Sequence, residues 1–451
     1  MNRAIAVICG AAAAFFCLGG YASAVSLPTS TTANAPGVLI SGTTVSLYIP
    51  YASDDSLRFR AGLKVIEAAP GATIPKTAIL KTGYVNSCAA DPSTSIAVCT
   101  GDFGASYTIG GPKNVATGFK TGVIKRIHFT GGDCANCGVA IDDDLSGVPT
   151  AIISTSDGYL PVGLSPFKQN PIIGTNDDVI SGNFGYDWVN HRILSPNYTI
   201  ENLRNFQSKN PDFQIIDMAS GTAFDLSDKT SFFNDNGTCA TKTGTTQRDA
   251  LPDSAAYDIN TGIAYGTFRS PSDCVGANAV EDLALLDLTQ ASFDTGTRTW
   301  SDSGKQIQTL TEMTNLTNGL TGIAIPPGVS LAIVADRHER SGGSTGFGAL
   351  SLPTSAGGTP ALRDWVQATM PKDPLRRPWL MSNMPNGLTA YVSPNDSKAY
   401  GVIINRTRTF AAVVDIAGLL GATRSSAHTI SSSTDLVTPG IVRFVDIRPG
   451  K

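Results

Sequence analysis

The sequence predicts an all-β fold, and three observations carry that prediction. The first is composition. With 46 Gly, 26 Pro and 41% hydrophobic residues among 451, the chain is too apolar to be disordered and too often interrupted to be mainly helical. The second is a recurrent short apolar run that ends on an acidic residue, and the third is a recurrent pattern of strand, polar turn and strand.

The apolar runs are Gly62 to Glu67, Phe213 to Met218, Leu283 to Leu288 and Ala411 to Ile416. Each is short, rich in Val, Ile or Leu, and bounded by turn formers, which fits a buried strand better than a helix. The hairpin pattern is clearest where Asp253 to Asp258 passes through Asn260-Thr261-Gly262 into Ile263 to Phe268. It recurs where Asn386 to Tyr391 passes through Pro394-Asn395-Asp396 into Lys398 to Ile403. The same shape returns at Val85 to Thr100, Gly138 to Ser154, Gly182 to Ser195 and Asn318 to Ala335.

A chain of this length would ordinarily divide into domains of roughly 100–200 residues. One repeated unit absorbs it instead, because the hairpins recur at intervals that hold four strands plus loops, about 40–50 residues before insertions. The expected architecture is a single β-propeller of seven blades, with six as the next best count. The chain ends are expected to build the last blade. Pro439 to Asp446 reads as its first strand, and Thr44 to Ile49 with Gly62 to Glu67 read as its second and third. Pairing of the N- and C-terminal strands would close the ring and leave no sheet edge exposed.

The succession of a Gly-Leu-Thr-Ala-Tyr strand, a polar turn, an Ala-Tyr-Gly strand and an apolar-Asp-apolar strand resembles the propellers of the YVTN, NHL and lactonase-like superfamily. The resemblance spans most of the chain and concerns fold and repeat. It implies that a calcium ion could be held near the axis by Glu, Asn and Asp oxygens, as in calcium-dependent lactonases of that fold. No Glu opens a first strand here, so the resemblance designates no ligand set.

Arg3 precedes an uncharged stretch from Ala4 to Gly20, and Ala22-Ser23-Ala24 has the form of a signal-peptidase site. The expected organisation is therefore a signal peptide over 1–24, a flexible Ser/Thr-rich leader over 25–43 and the propeller over 44–451. An exported protein, periplasmic or extracellular, follows from this. Loss of Cys9 and Cys17 with the signal leaves six cysteines in an oxidising compartment. The expected pairs are Cys88 with Cys99 across a hairpin, Cys134 with Cys137 in a short loop, and Cys239 with Cys274 on one rim.

Strand topology says where insertions go. Connections from second to third strand and from one blade to the next open on the same rim, and many of them are long here. Loops of that length on a rigid scaffold commonly carry function. One of them, Arg363 to Pro385, contains Trp365, Arg376, Arg377 and Trp379, a combination suited to protein or carbohydrate recognition. Asn86, Asn183, Asp253, Asn318 and Asn386 open first strands and form a second candidate set, a ring of short polar groups at the channel mouth.

Other chemistry finds less support. Gly342-Gly343-Ser344-Thr345-Gly346 matches a nucleophile-elbow pattern, but a strand follows it where the elbow needs a helix. Four scattered histidines give little basis for a His-built metal site or triad. Asp142, Asp187 and Asp258 fall at one place in successive hairpins, as turn caps would. A formal charge of −4 with 16% charged residues offers no basic surface for nucleic acid. Two functions are compatible with these features. The favoured one is an exported, monomeric, non-enzymatic scaffold whose rim loops engage a protein, glycan, small molecule or surface polymer. The other is a calcium-dependent lactonase or esterase-like hydrolase acting at the channel mouth.

Overall fold

The computed structural model describes residues 36–52, 61–67, 77–80, 85, 87–91, 93–94, 96–100, 105–110, 125–128, 138–155, 157–173, 184–197, 212–226, 238–241, 244–247, 251–269, 282–287, 293–294, 299–300, 305–309, 320, 322–336, 346–354, 358–367, 385–405, 410–421, 428–429 and 441–446. Strands dominate. Helical turns among these residues are the short 3-10 segments Leu145–Gly147 and Gly418–Gly421, and no helix is long and apolar enough to cross a membrane.

Among the described residues there are eight sheets, and seven of them have four or more strands. Sheet I holds Gly37–Ser41, Thr44–Ala52, Ala61–Glu67 and Thr77–Leu80. Sheet II holds Ser87–Asp91, Ile96–Thr100, Ala105–Gly110 and Lys125–His128. Sheet III runs from Val139–Asp142 through Thr150–Thr155 and Gly158–Leu164 to Phe167–Gln169. Sheet IV is built on Gly185–Asp187, Arg192–Asn197, Asp212–Asp217 and Thr222–Leu226. Sheet V has Leu251–Asp258, Ile263–Arg269, Asp282–Asp287 and Lys305–Thr309. Sheet VI has Gly322–Ala324, Leu331–Asp336, Gly346–Ser351 and Ala361–Gln367. Sheet VII has Pro385–Val392, Ala399–Asn405, Phe410–Asp415 and Ile441–Asp446. In each sheet these four strands lie side by side in chain order, every neighbour antiparallel, as in a propeller blade.

All six predicted hairpins are first and second strands, and all four acidic-ended runs are third strands. Their sequences lack a clean apolar-polar alternation because both faces are covered. Thr150–Thr155 and Gly158–Leu164 are buried at every position, which selects continuous apolar runs.

The cores lie between sheets. Val98 of sheet II packs with Val139, Ile141 and Ile153 of sheet III. Ile152 and Tyr159 of sheet III join Phe184, Ile193 and Ile215 of sheet IV and Ala255 of sheet V. Tyr265 of sheet V meets Ile323 and Val334 of sheet VI, and Ile333 of sheet VI meets Leu388 and Val414 of sheet VII. Val38, Val45, Leu47 and Ile49 of sheet I share a cluster with Tyr400, Val402 and Val413 of sheet VII. Sheets I and II approach so closely that a Cβ on Gly37 would lie 2.9 Å from the Cβ of Cys88.

Two expectations about the chain ends need correction. Ile441–Asp446 pairs with Phe410–Asp415 as the outer strand of sheet VII, so the N- and C-terminal strands do not pair with each other. The first strand of sheet I is Gly37–Ser41, which pairs with Thr44–Ala52 and lies inside the stretch read as a leader. Val38 is almost wholly buried there. The apolar run Val38-Leu39-Ile40 was masked in sequence by its Ser, Thr, Ala, Pro and Gly surroundings.

Two outer edges receive an extra strand from the following sheet. The third-to-fourth connection of sheet V supplies Thr299–Trp300, parallel to Asp225 and Leu226 of sheet IV. That of sheet VII supplies His428–Thr429, parallel to Val366 and Gln367 of sheet VI. Each covers an edge that would otherwise be open to pairing.

The first cysteine pair is as expected. Cys88 and Cys99 are opposed in register and joined by a disulfide, with Cα atoms 4.1 Å apart. Closing so short a loop constrains the unfolded chain, so replacing both residues by Ala should lower stability by about 2–3 kcal/mol. Urea unfolding of the oxidised protein and the double variant measures this.

Candidate functional site

The best-defined polar cluster lies where first strands turn into second strands, at the end opposite the long rim connections. In sheets II to V the turn is held by the residue that ends the first strand. Asp91 Oδ1 accepts from Ser93 N at 2.9 Å and Asp91 Oδ2 from Thr94 N at 2.9 Å. Asp142 Oδ1 accepts from Asp144 N at 2.9 Å. Asp187 Oδ1 accepts from Val189 N at 3.0 Å and Asn190 N at 3.1 Å. Asp258 Oδ1 accepts from Asn260 N at 3.0 Å, and in sheet VII the hydroxyl of Ser393 receives Asn395 N at 3.2 Å. Short side chains that bond backbone N–H groups two or three residues on stabilise such turns. The turn-cap reading of Asp142, Asp187 and Asp258 is thus what the geometry displays.

Two of these carboxylates also reach the following sheet. Tyr186 of sheet IV donates its hydroxyl to Asp142 Oδ2 at 2.6 Å, and the hydroxyl of Tyr257 in sheet V bonds to Asp187. Each Tyr directly precedes the cap of its own sheet, so one register position serves as donor and the next as acceptor. Burial, together with the charge of the accepting Asp, holds both phenols above their ordinary range. Burial also raises Asp187, opposed by hydrogen bonds from Asn190 and by the Arg192 charge.

Sheets III and IV are linked by further bonds. His191 Nδ1 lies 2.6 Å from Asp142 Oδ2, Trp188 Nε1 donates to the Ile141 carbonyl at 2.8 Å, and Tyr159 donates to Ser195 Oγ at 2.6 Å. His191 has φ +54°, in the left-handed region, and its imidazole is one third exposed beside a buried carboxylate. A carboxylate at Nδ1 orients the ring. Among the described residues no hydroxyl or thiol completes a triad with it. Nor does any group of three or more His, Cys, Asp or Glu have metal-holding geometry.

This dyad was not anticipated, because His191 and Asp142 lie 49 positions apart and no local pattern joins them. The anticipated ring is described only in part. Asn86, Asn183 and Asn318 lie outside the described residues. Asp253 and Asn386 do belong to first strands, each beside a register shift. Trp365 belongs to the fourth strand of sheet VI, opposite Gly348, rather than to a rim loop. A strand can supply it because the segment reads Ala-Leu-Arg-Asp-Trp-Val-Gln, apolar enough to pair. Arg376, Arg377 and Trp379 lie outside the described residues, as do Cys134, Cys137 and Cys274. Cys239 sits in the hairpin strand Thr238–Thr241.

No protein-family model and no curated protein matches the chain. Solved structures with a similar fold include Sqt1 from Chaetomium thermophilum, at 11% identity over 93% of this chain and 87% of that one, with a TM-score of 0.46. Another is the Cps50 (Swd1) β-propeller domain of Myceliophteria thermophila, at 8% identity over 81% and 86%, with a TM-score of 0.45. A third comes from the outer coat vertex of COPII on membranes, at 11% identity over 86% and 82%, with a TM-score of 0.48. These likenesses concern fold alone.

Proposed function

We propose that the chain is a binding scaffold, a seven-bladed propeller closed by the packing of sheet VII on sheet I, which engages a protein partner through its insertion-rich rim. Closure of this kind is supported by the cluster that Val38, Val45, Leu47 and Ile49 form with Tyr400, Val402 and Val413, and by the bond from Asn395 Nδ2 to the Thr43 carbonyl at 2.8 Å. One observation carries the functional reading. The capped-turn carboxylates are engaged in holding turns and sheets together, while firmly paired strands flank four long connections, 198–211, 227–250, 270–281 and 368–384, at the other end. Long connections on rigid strands are where recognition is commonly placed. Export belongs to this proposal, on the strength of residues 1–24.

The test is to shorten 368–384 to a Gly-Ser bridge, leaving the strands Ala361–Gln367 and Pro385–Val392 intact, and to compare affinity capture from extracts of the source. Recovery of a specific partner should fall at least tenfold with an unchanged unfolding midpoint. Equal recovery would overturn the rim as the binding surface. Stoichiometric calcium in the purified protein together with lactone hydrolysis would favour the hydrolase instead.

A further inference from the structure

The inter-sheet bond from Tyr to Asp has a counterpart with different chemistry between sheets II and III. Asp142 of sheet III receives Tyr186 of sheet IV, and Asp187 of sheet IV meets Tyr257 of sheet V. Asp91, the cap of sheet II, should meet the residue just before the cap of sheet III, but that residue is Ile141, which has no proton to give. The side chain that bonds Asp91 across this seam is Asp143. Asp91 is wholly buried and already accepts from Ser93 N, Ser93 Oγ, Thr94 N and Thr94 Oγ1. Two carboxyl groups can bond each other in such a place only if one of them keeps its proton.

We infer that a proton carried by Asp143 and shared with Asp91 joins sheets II and III where other seams use a tyrosine hydroxyl, which makes this seam a pH-sensitive joint. The groups facing Asp143 are Asp91 from sheet II and Asp142 and Asp144 from its own turn. On the sheet IV side, His191 and Tyr186 bond Asp142. Burial first, then the Asp91 hydrogen bond and the three neighbouring charges, raise Asp143 to about 8. A phenol in the same role would not ionise until far more alkaline pH.

The sign follows from proton counting. An unfolded Asp ionises near pH 4, whereas Asp143 in the folded chain holds its proton to about 8. Between those values the folded state binds one more proton, so its contribution to stability falls as pH rises and levels off above the folded value. The unfolding equilibrium constant should therefore rise up to about tenfold per pH unit between pH 5 and 7.5 from this group.

The experiment measures that constant against pH in the wild-type chain, Asp143→Asn and His191→Gln. An amide still donates to Asp91 but carries no titrating proton, so D143N should lower the proton linkage by about one in that window, and H191Q should leave the Asp143 share in place. Equal linkage in D143N and wild type would overturn the inference. Because D143N could fold poorly, carboxyl 13C titration of the Asp-labelled wild-type protein gives a second readout. A midpoint in the neutral to alkaline range for Asp143 supports the shared proton, and one near 4 refutes it.

Discussion

Replacing Asp142 by Ala is expected to destabilise the protein by about 3–5 kcal/mol, the range seen when one partner of a buried polar pair is removed. The substitution removes the acceptor for the Asp144 backbone N–H, the Tyr186 hydroxyl and His191 Nδ1 together. Tyr186 is wholly buried, so its hydroxyl would remain unsatisfied in an apolar seam. Asp217→Ala is the natural comparison, since its carboxylate holds an exposed turn through Ala219 N and Ser220 N. That loss should be about 1 kcal/mol. Urea unfolding of the three proteins measures both values, and a cost below about 1 kcal/mol for D142A would mean the cluster does not hold the seam.

The second large effect is expected at Gly185, where Val should cost about 3 kcal/mol or more and could prevent folding. A Cβ there would lie 2.9 Å from the carbonyl carbon of Ala255 and 2.9 Å from the nitrogen of Ala256. Both contacts are backbone atoms of the first strand of sheet V, which cannot turn aside as a side chain could. Gly147, whose Cβ would meet nothing within 4 Å, isolates the steric effect from backbone preference, because its φ is +74°. Substitution there should cost only about 1 kcal/mol. Thermal unfolding decides the matter, and similar losses at both positions would exclude close sheet approach as the cause.

Much of the fold was legible because the repeat is local. Ala256-Tyr257-Asp258 and its turn carry strand, cap and direction change within a dozen residues, and each of the four acidic-ended runs read from the sequence marks a third strand. The terminal sheet was harder to read. Ile441–Asp446 resembles any inner strand in sequence, since fourth strands in sheets buried on both faces need the same apolar residues. The borrowed strands Thr299–Trp300 and His428–Thr429 are too short to show any period. The candidate site was the least legible part. Asp142, Asp143 and His191 look like turn residues in isolation, and their roles depend on which sheet arrives opposite.

The all-β class, the six hairpins, the third strands and the Cys88–Cys99 bridge could be read from residues close along the chain, because each is a local pattern. How the ends are used, which edges are covered, and which carboxylate meets a tyrosine and which meets another carboxyl became visible only in the folded chain. Those outcomes depend on contacts between sheets dozens of residues apart. No short stretch of chain encodes them, since hydrogen bonding and proton affinity at a buried group are set by whatever packs against it.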